Sequence, residues 1–255
     1  MKLGLEYIKY RRKAKRRHGI HSPFVYNLQD KVLRTKIDED HNQALENLFN
    51  TLAANNDIIE IDDHGAGSKR LTNNRKISSI FKTSSSRGKY GRMLYSLARH
   101  YQPKTVLEFG TSLGIGSICM QLGNSQTKIT TVEACTNTRK VALENFARLG
   151  IDHIESVQAT FDHYLNSLKS ESFDLVFIDG HHDGDALLHY LERLIPFTHN
   201  ETIFVLDDIR WSESMLEAWN SVIQNYSYHV TLDFFRMGIV IPRIEQEKEH
   251  FVLNF

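Results

Sequence analysis

The 255-residue chain is poor in the features that define several protein classes. It has only two cysteines, Cys119 and Cys135, too few for a disulfide framework or a four-cysteine zinc site. No apolar run approaches the roughly 20 residues that cross a bilayer. The N-terminus, MKLGLEYIKYRRK, carries charge where a signal peptide has an apolar segment, so a cytoplasmic chain without a membrane span is expected. Charged residues make up 24% and aromatics 10%, ordinary globular values that exclude disorder or fibrous repeats as a description of the whole. Net charge is also lacking, since 31 Lys and Arg face 31 Asp and Glu. The balance is uneven along the chain. Residues 1–17 hold eight basic side chains and one acidic, leaving an acidic body behind a basic arm. Such an arm binds anionic partners or folds back on its own domain.

From about residue 100, short β-branched or apolar runs alternate with helical stretches, the pattern of a parallel sheet wrapped by helices. The runs are TVLEF (105–109), KITTVE (128–133), HIESVQ (153–158), FDLVFID (173–179) and TIFVLD (202–207). Helices are expected over 117–122, 137–149, 161–168 and 185–194, and an amphipathic one over 89–100 leads into the first strand. YHVTLDFF (228–235) and MGIVIP (237–242) meet around Arg236 and read as an antiparallel hairpin. The expected fold is α/β: a Rossmann-like, doubly wound, mostly parallel sheet with a C-terminal hairpin over residues 84–255. Residues 1–83 precede it as a basic arm, a helix over 38–54, and a largely polar 58–76 segment expected to form a lid loop.

The strongest motif is VLEFGTSLGIGS (106–117), a strand ending in Glu108 followed by a glycine turn and a helix start. Gly110 and Gly114 let backbone approach a ligand, and the helix N-terminus offers unpaired N–H groups. Its E-x-G-x-x-x-G spacing differs from the G-x-G-x-x-G of dinucleotide binders. A carboxylate at that strand end repels a pyrophosphate and suits a cationic amine. Glu133 closes the next strand, where an acidic residue accepts hydrogen bonds from a ribose diol. Asp179, Asp207 and Asp208 stand at the carboxyl ends of the fourth and fifth strands. Three carboxylates there suit a hard divalent cation such as Mg²⁺ or Ca²⁺, or else cap helices and shape turns. His181 and His182 follow Asp179, and either is placed to act as a general base. A second glycine turn, IIEIDDHGAGS (58–68), lacks a following apolar helix stripe and reads as a loop over the site mouth, with Lys69, Arg70, Arg75 and Lys76 facing an anionic substrate.

These motifs resemble those of class I S-adenosylmethionine-dependent methyltransferases, and within them the catechol O-methyltransferase-like enzymes, over residues 84–243. HGIHSPF (18–24) and DHGAGSKR (63–70) look like features of a bacterial subfamily of such methyltransferases. The resemblance implies that Glu108, Gly110, Ser112 and Gly114 line the methionine side of S-adenosyl-L-methionine. It places Glu133 on the ribose, Thr160 and Phe161 beside the adenine, and the Ser84–Ser86 loop, Ser86 included, near the methionine carboxylate. Asp179 then touches both cofactor and acceptor, and Asp179, Asp207 and Asp208 match the family's metal ligands, although the third is usually Asn. His182 falls where the family carries a basic Lys. The implied reaction is methylation of a small-molecule hydroxyl, with His182 and Asp179 as catalytic residues and a Mg²⁺ or Ca²⁺ ion as assistant. The segment after the fourth strand lacks the Asn/Asp-Pro-Pro-aromatic pattern of base-amine methyltransferases, which argues against a nucleic-acid partner. Carboxyl, RNA or protein methylation through the basic arm, a cofactor-binding module without turnover, and a homodimer are the alternatives left open.

Overall fold

The computed structural model describes residues 3–15, 21–62, 73–83 and 86–255. The glycine turn of the 58–76 segment, Lys69, Arg70, Arg16, Arg17, Ser84 and Ser85 lie outside the described residues. Ten strands are described: β1 (Ile58–Glu60), β2 (Asn74–Lys76), β3 (Thr105–Phe109), β4 (Lys128–Glu133), β5 (Ile154–Gln158), β6 (Phe173–Ile178), β7 (Thr198–Leu206), β8 (Val230–Asp233), β9 (Gly238–Ile241) and β10 (Glu249–Val252). The last eight form one sheet in the order β10-β8-β9-β7-β6-β3-β4-β5. Pairing is parallel from β5 through β7, then antiparallel across β7–β9 and β8–β9. This is the doubly wound sheet with a reversed hairpin that the alternation of runs predicts. The parallel strand β10 beside β8 was not anticipated, because EHFV is too short to stand out from the polar residues before it.

Strand alternation divides the core. Val106, Leu175, Phe177, Ile203 and Val205 point to one face. Leu107, Phe109, Val176, Ile178, Phe204 and Leu206 point to the other. Buried on both faces, β6 and β7 read as nearly unbroken apolar runs. The first face is covered by α2 (Pro23–Arg34), α3 (Glu39–Ala54), α4 (Ile77–Thr83), α5 (Gly88–Tyr101), α6 (Ile115–Gly123) and α7 (Thr136–Arg148). The second is covered by α8 (Phe161–Ser167), α9 (Gly184–Leu194) and α10 (Glu213–Gln224). Met93, Leu94, Leu97 and Ala98 of α5 are all fully buried, and the larger three contribute roughly 1.5–3 kcal/mol each. The helices of residues 21–83 share this core with α5, α6 and the sheet.

The basic arm forms α1 (Leu3–Lys13), which docks on its own chain. Tyr7 and Tyr10 pack on Phe235 at 5.1 and 5.3 Å between ring centroids, and the Tyr10 hydroxyl donates to the Leu253 carbonyl. Lys15 extends this contact by bridging to Leu253 beyond β10. The 58–76 segment, expected to be mostly loop, has an antiparallel ribbon at its base, with Ile58 opposite Lys76. That ribbon leans on the N-terminus of α7, where Asn137 donates to the Glu60 carbonyl at 2.8 Å. Arg75 and Lys76 lie on β2. Among the described residues no helix is long and apolar enough to cross a membrane.

Candidate active site

The carboxyl ends of β3, β4, β6 and β7 meet at one edge of the sheet. There the β3–α6 loop is wound by three left-handed residues: Gly110 (φ 99°), Ser112 (φ 47°) and Gly114 (φ 80°). Gly110 also runs against β6, so that a Cβ on it would overlap the Asp179 carbonyl; only glycine fits. A Cβ on Gly114 would meet the Phe146 ring of α7 at 2.5 Å. Asn145, a buried side chain that sequence reading overlooked, pins the loop by donating to the Leu113 carbonyl at 2.9 Å.

Glu108 lies on the β3 face that carries Val106, directed under the N-terminus of α6, and is only 1% exposed. The Ser117 hydroxyl donates to its Oε2, as does Thr131 at 2.6 Å. Thr131 in turn meets Thr111 at 2.6 Å, which ties the strand end to the loop. Burial pushes the Glu108 carboxyl up to about 7 despite these donors. Its Oε1, Gly116 and the Ser86 hydroxyl converge: a Cβ on Gly116 would clash with Oε1 and stand 3.4 Å from Ser86 Oγ. Thus Ser86, far from Glu108 in sequence, joins it at the first turn of α6.

Glu133 is held by backbone. Ser112 N–H donates to Oε2 and Cys135 N–H to Oε1, both at 2.9 Å. The glycine loop and the end of β4 are therefore one unit, with a carboxylate fixed between two amides. Beyond β5, Thr160 caps α8 by accepting from the His163 amide at 3.3 Å. Phe161 stacks on Phe109 at 4.6 Å and 6° and touches Tyr190 edge-on. The same ring lies where a Cβ on Gly180 would stand, at 2.9 Å, so Phe161 reaches the turn after β6.

On the other side of Gly110, the two histidines part. His181 (φ 58°) turns its Nδ1 to the Tyr190 hydroxyl at 2.6 Å, whereas His182 places Nε2 3.7 Å from Asp208 Oδ2 and packs near Trp211. Trp211 is 64% exposed, an unusual position for that side chain. Asp207 has a side chain with no exposure, and neither of its oxygens has a donor aimed at it. Burial, then the facing Asp179 and Asp208 carboxylates, raise its pKa well above the usual range, which Arg236 only partly offsets.

Arg236 is the residue that the sequence reading passed over, noting only that it sits at the hairpin bend. Because β9 pairs antiparallel with β7, Leu206 opposite Gly238, the hairpin tip returns to the ends of β6 and β7. Arg236 Nε stands 2.8 Å from Asp208 Oδ1 and 3.6 Å from Asp207 Oδ1. The Nε–H is not aimed along either line, so these two are ion pairs, whereas Nη2 donates to Asp208 Oδ2 at 3.4 Å. The expectation of a cage for Mg²⁺ or Ca²⁺ meets a different arrangement here. Asp179, Asp207 and Asp208 do come to one edge, but a guanidinium lies against two of them. Among the described residues no group of three or more His, Cys, Asp or Glu is placed to hold a metal ion. The residues present do not fit a divalent cation. Tyr90 of α5 completes the wall: its hydroxyl donates to the Phe234 carbonyl at 3.2 Å, and burial pushes its pKa up to about 12.

Comparison with known proteins bears on the fold that carries these residues. Residues 107–209 match the model of a family described as a methyltransferase domain. A curated protein of Mycobacterium sp. (strain JLS), named "Putative O-methyltransferase", is 31% identical over 93 residues; the match spans 35% of this chain and 42% of that protein's length. Among solved structures, the SAH-bound methyltransferase PaMTH1 of Podospora anserina aligns with a TM-score of 0.56 at 16% identity, covering 81% of this chain and 97% of that one. The O-methyltransferase of Bacillus cereus in complex with SAH aligns at 0.54 and 19% identity, covering 86% and 97%. The fold is the Rossmann-like one of class I methyltransferases, and the stretch from β3 to the end of β7 carries the methyltransferase-domain pattern.

Proposed function

We propose that the protein transfers a methyl group from S-adenosyl-L-methionine to the hydroxyl of a small molecule. The observation that supports this reading best is the pairing of Glu108 and Glu133, two carboxylates at the ends of adjacent strands with the Gly110–Gly114 loop between them. On this reading the methionine ammonium lies toward Glu108 and Ser86 at the first turn of α6. The ribose diol donates to Glu133, whose two oxygens retain acceptor capacity beyond the Ser112 and Cys135 amides. The adenine lies toward the turn after β6, bordered by Phe161, with Thr160 at the end of β5. The Gly110 loop brings the sulfonium beside Asp179.

The chemistry then needs little beyond alignment, because the sulfonium is already activated. The acceptor oxygen forms the new O–CH3 bond as the S–CH3 bond breaks. The bonding pair stays on sulfur, giving S-adenosylhomocysteine. The hydroxyl proton passes to the His182 imidazole, and Asp208 beside it stabilises the imidazolium that forms. Asp179 orients the acceptor with Asp207 buried behind it, and exposed Trp211 offers an aromatic face to it. No step is routed through a metal ion.

The test has two parts: calorimetry of the apo protein with S-adenosylhomocysteine, and methyl transfer from labelled S-adenosylmethionine to a panel of phenols, catechols and aliphatic alcohols. Binding with turnover on a hydroxyl acceptor is the expected result. Binding without turnover on any acceptor, carboxylates and RNA included, would leave a cofactor-binding module instead.

A further inference from the structure

The acidic edge formed by β6 and β7 already holds a cation, and it belongs to the chain. The Asp207 side chain is fully shielded from solvent and faces two more carboxyl groups, Asp179 and Asp208, so acidic groups gather here with little water to screen them. What stands there is the Arg236 guanidinium, 2.8 Å from Asp208 and 3.6 Å from Asp207. Several contacts hold the hairpin tip that delivers it. Arg210 grips Asp233 with two N–H groups, at 2.9 and 2.6 Å, and donates to the Phe235 carbonyl at 2.7 Å. Asp233 also accepts from the Phe235 amide at 2.8 Å and from Trp219 Nε1 at 3.3 Å. Ile209, next to the aspartates, donates its N–H to the Arg236 carbonyl at 3.0 Å. Phe235, at φ 73°, turns the chain so that Arg236 faces β7. Arg210 and Asp233 are both nearly buried, so this bidentate pair is a fixed brace rather than a mobile surface contact.

We propose that Arg236 takes the place of a divalent cation at this edge, so that the protein holds its acceptor against a built-in guanidinium and binds no metal there. A hard cation needs about six or more oxygen ligands, or waters, close around it. A guanidinium against two of the three carboxylates both blocks that space and repels a second positive charge. Arg236 is 31% exposed, so it can still meet an acceptor oxygen from the solvent side. Only this last clause rests on the proposed activity; the exclusion of metal rests on the ion pairs.

The experiment is a Mn²⁺ titration of the full chain followed by electron paramagnetic resonance, on wild type, Asp207→Asn, Arg236→Gln, and Arg236→Gln combined with Asp207→Asn. Calorimetry with S-adenosylhomocysteine runs alongside. The wild type is expected to bind Mn²⁺ more weakly than about 1 mM, the weak end of protein carboxylate sites. Arg236→Gln should gain on the order of tenfold or more in affinity, and adding Asp207→Asn should abolish the gain. Mn²⁺ binding by the wild type that is lost on Asp207→Asn overturns the proposal, as does an Arg236→Gln protein that folds and gains nothing. Should that variant not fold, the wild-type titration decides alone. A protein that ignores S-adenosylhomocysteine yet behaves as stated toward Mn²⁺ loses the proposed activity and keeps the assignment of Arg236.

Discussion

The two halves of the candidate site are made of different material. Around β3 and β4 the working groups are backbone: left-handed residues, amides donated to Glu133, and the first turn of α6 over Glu108. Around β6, β7 and the hairpin they are side chains from separate segments, namely Asp179, His182, Asp207, Asp208, Trp211 and Arg236, set against one another by charge. A backbone cradle tolerates almost no change in the residue types that shape it. A side-chain cluster can be altered member by member, which suits a surface that chooses an acceptor.

The contrast can be broken most forcefully at Gly110. Gly110→Ala combines a left-handed backbone with an overlap against Asp179, and should cost roughly 3–5 kcal/mol. Thermal melting by circular dichroism should show a large loss of stability. A near-wild-type melt would mean the loop is not rigid.

Next in size is Glu133→Ala, which leaves two amides without their acceptor and removes the partner assigned to the ribose. S-adenosylhomocysteine affinity should fall by about 2–3 kcal/mol, roughly 30–150-fold by calorimetry. Undiminished affinity would remove the ribose assignment.

Glu108 supplies a pH test. Its carboxyl is raised to about 7 in the folded chain, from an ordinary value of 4.5. The unfolded chain therefore ionises first. The stabilising contribution is complete below about pH 4.5 and is lost as pH climbs through 7, by about 3 kcal/mol at most. Glu108→Gln should flatten that decline in apo melting curves between pH 5 and 8. It should also remove the strengthening of S-adenosylhomocysteine binding expected over the same rise, because only a charged Glu108 attracts the ligand ammonium. Parallel curves for the two proteins would show that Glu108 does not titrate there.

The smallest effect belongs to the acceptor half. Trp211→Ala removes an exposed aromatic surface worth about 0.5–1.5 kcal/mol, so the acceptor KM should rise roughly 2–10-fold. Cofactor affinity should not change. A parallel loss of both would mean that the two halves are not separable.

Legibility followed the same division. The strands β6 and β7 were readable because burial on both faces demands nearly unbroken apolar runs, and β3 to β5 because short β-branched or apolar runs alternate with helical stretches; their ends place Glu108, Glu133, Asp179 and Asp207 at one edge. The glycine loop was readable because few residues other than glycine adopt its conformations. Asn145 and Tyr90 were not, since a polar side chain in an amphipathic helix carries no mark of the carbonyl it will meet. His181 and His182 looked equivalent as neighbours; a left-handed turn at His181 sends one to Tyr190 and the other to Asp208. The apolar pair Ile58 and Ile59 already resembled a strand, but its partner β2 was hidden by its polar composition, and β10 by its brevity.

By itself the sequence determined the layered α/β architecture and the backbone cradle, because periodicity and glycine spacing are local properties written residue by residue. Tertiary structure alone decided the electrostatics of the opposite edge. Arg236 lies 28 residues beyond Asp208 and reaches it only because β9 runs back along β7. Coulomb energy depends on distance in space and on burial, neither of which sequence separation records.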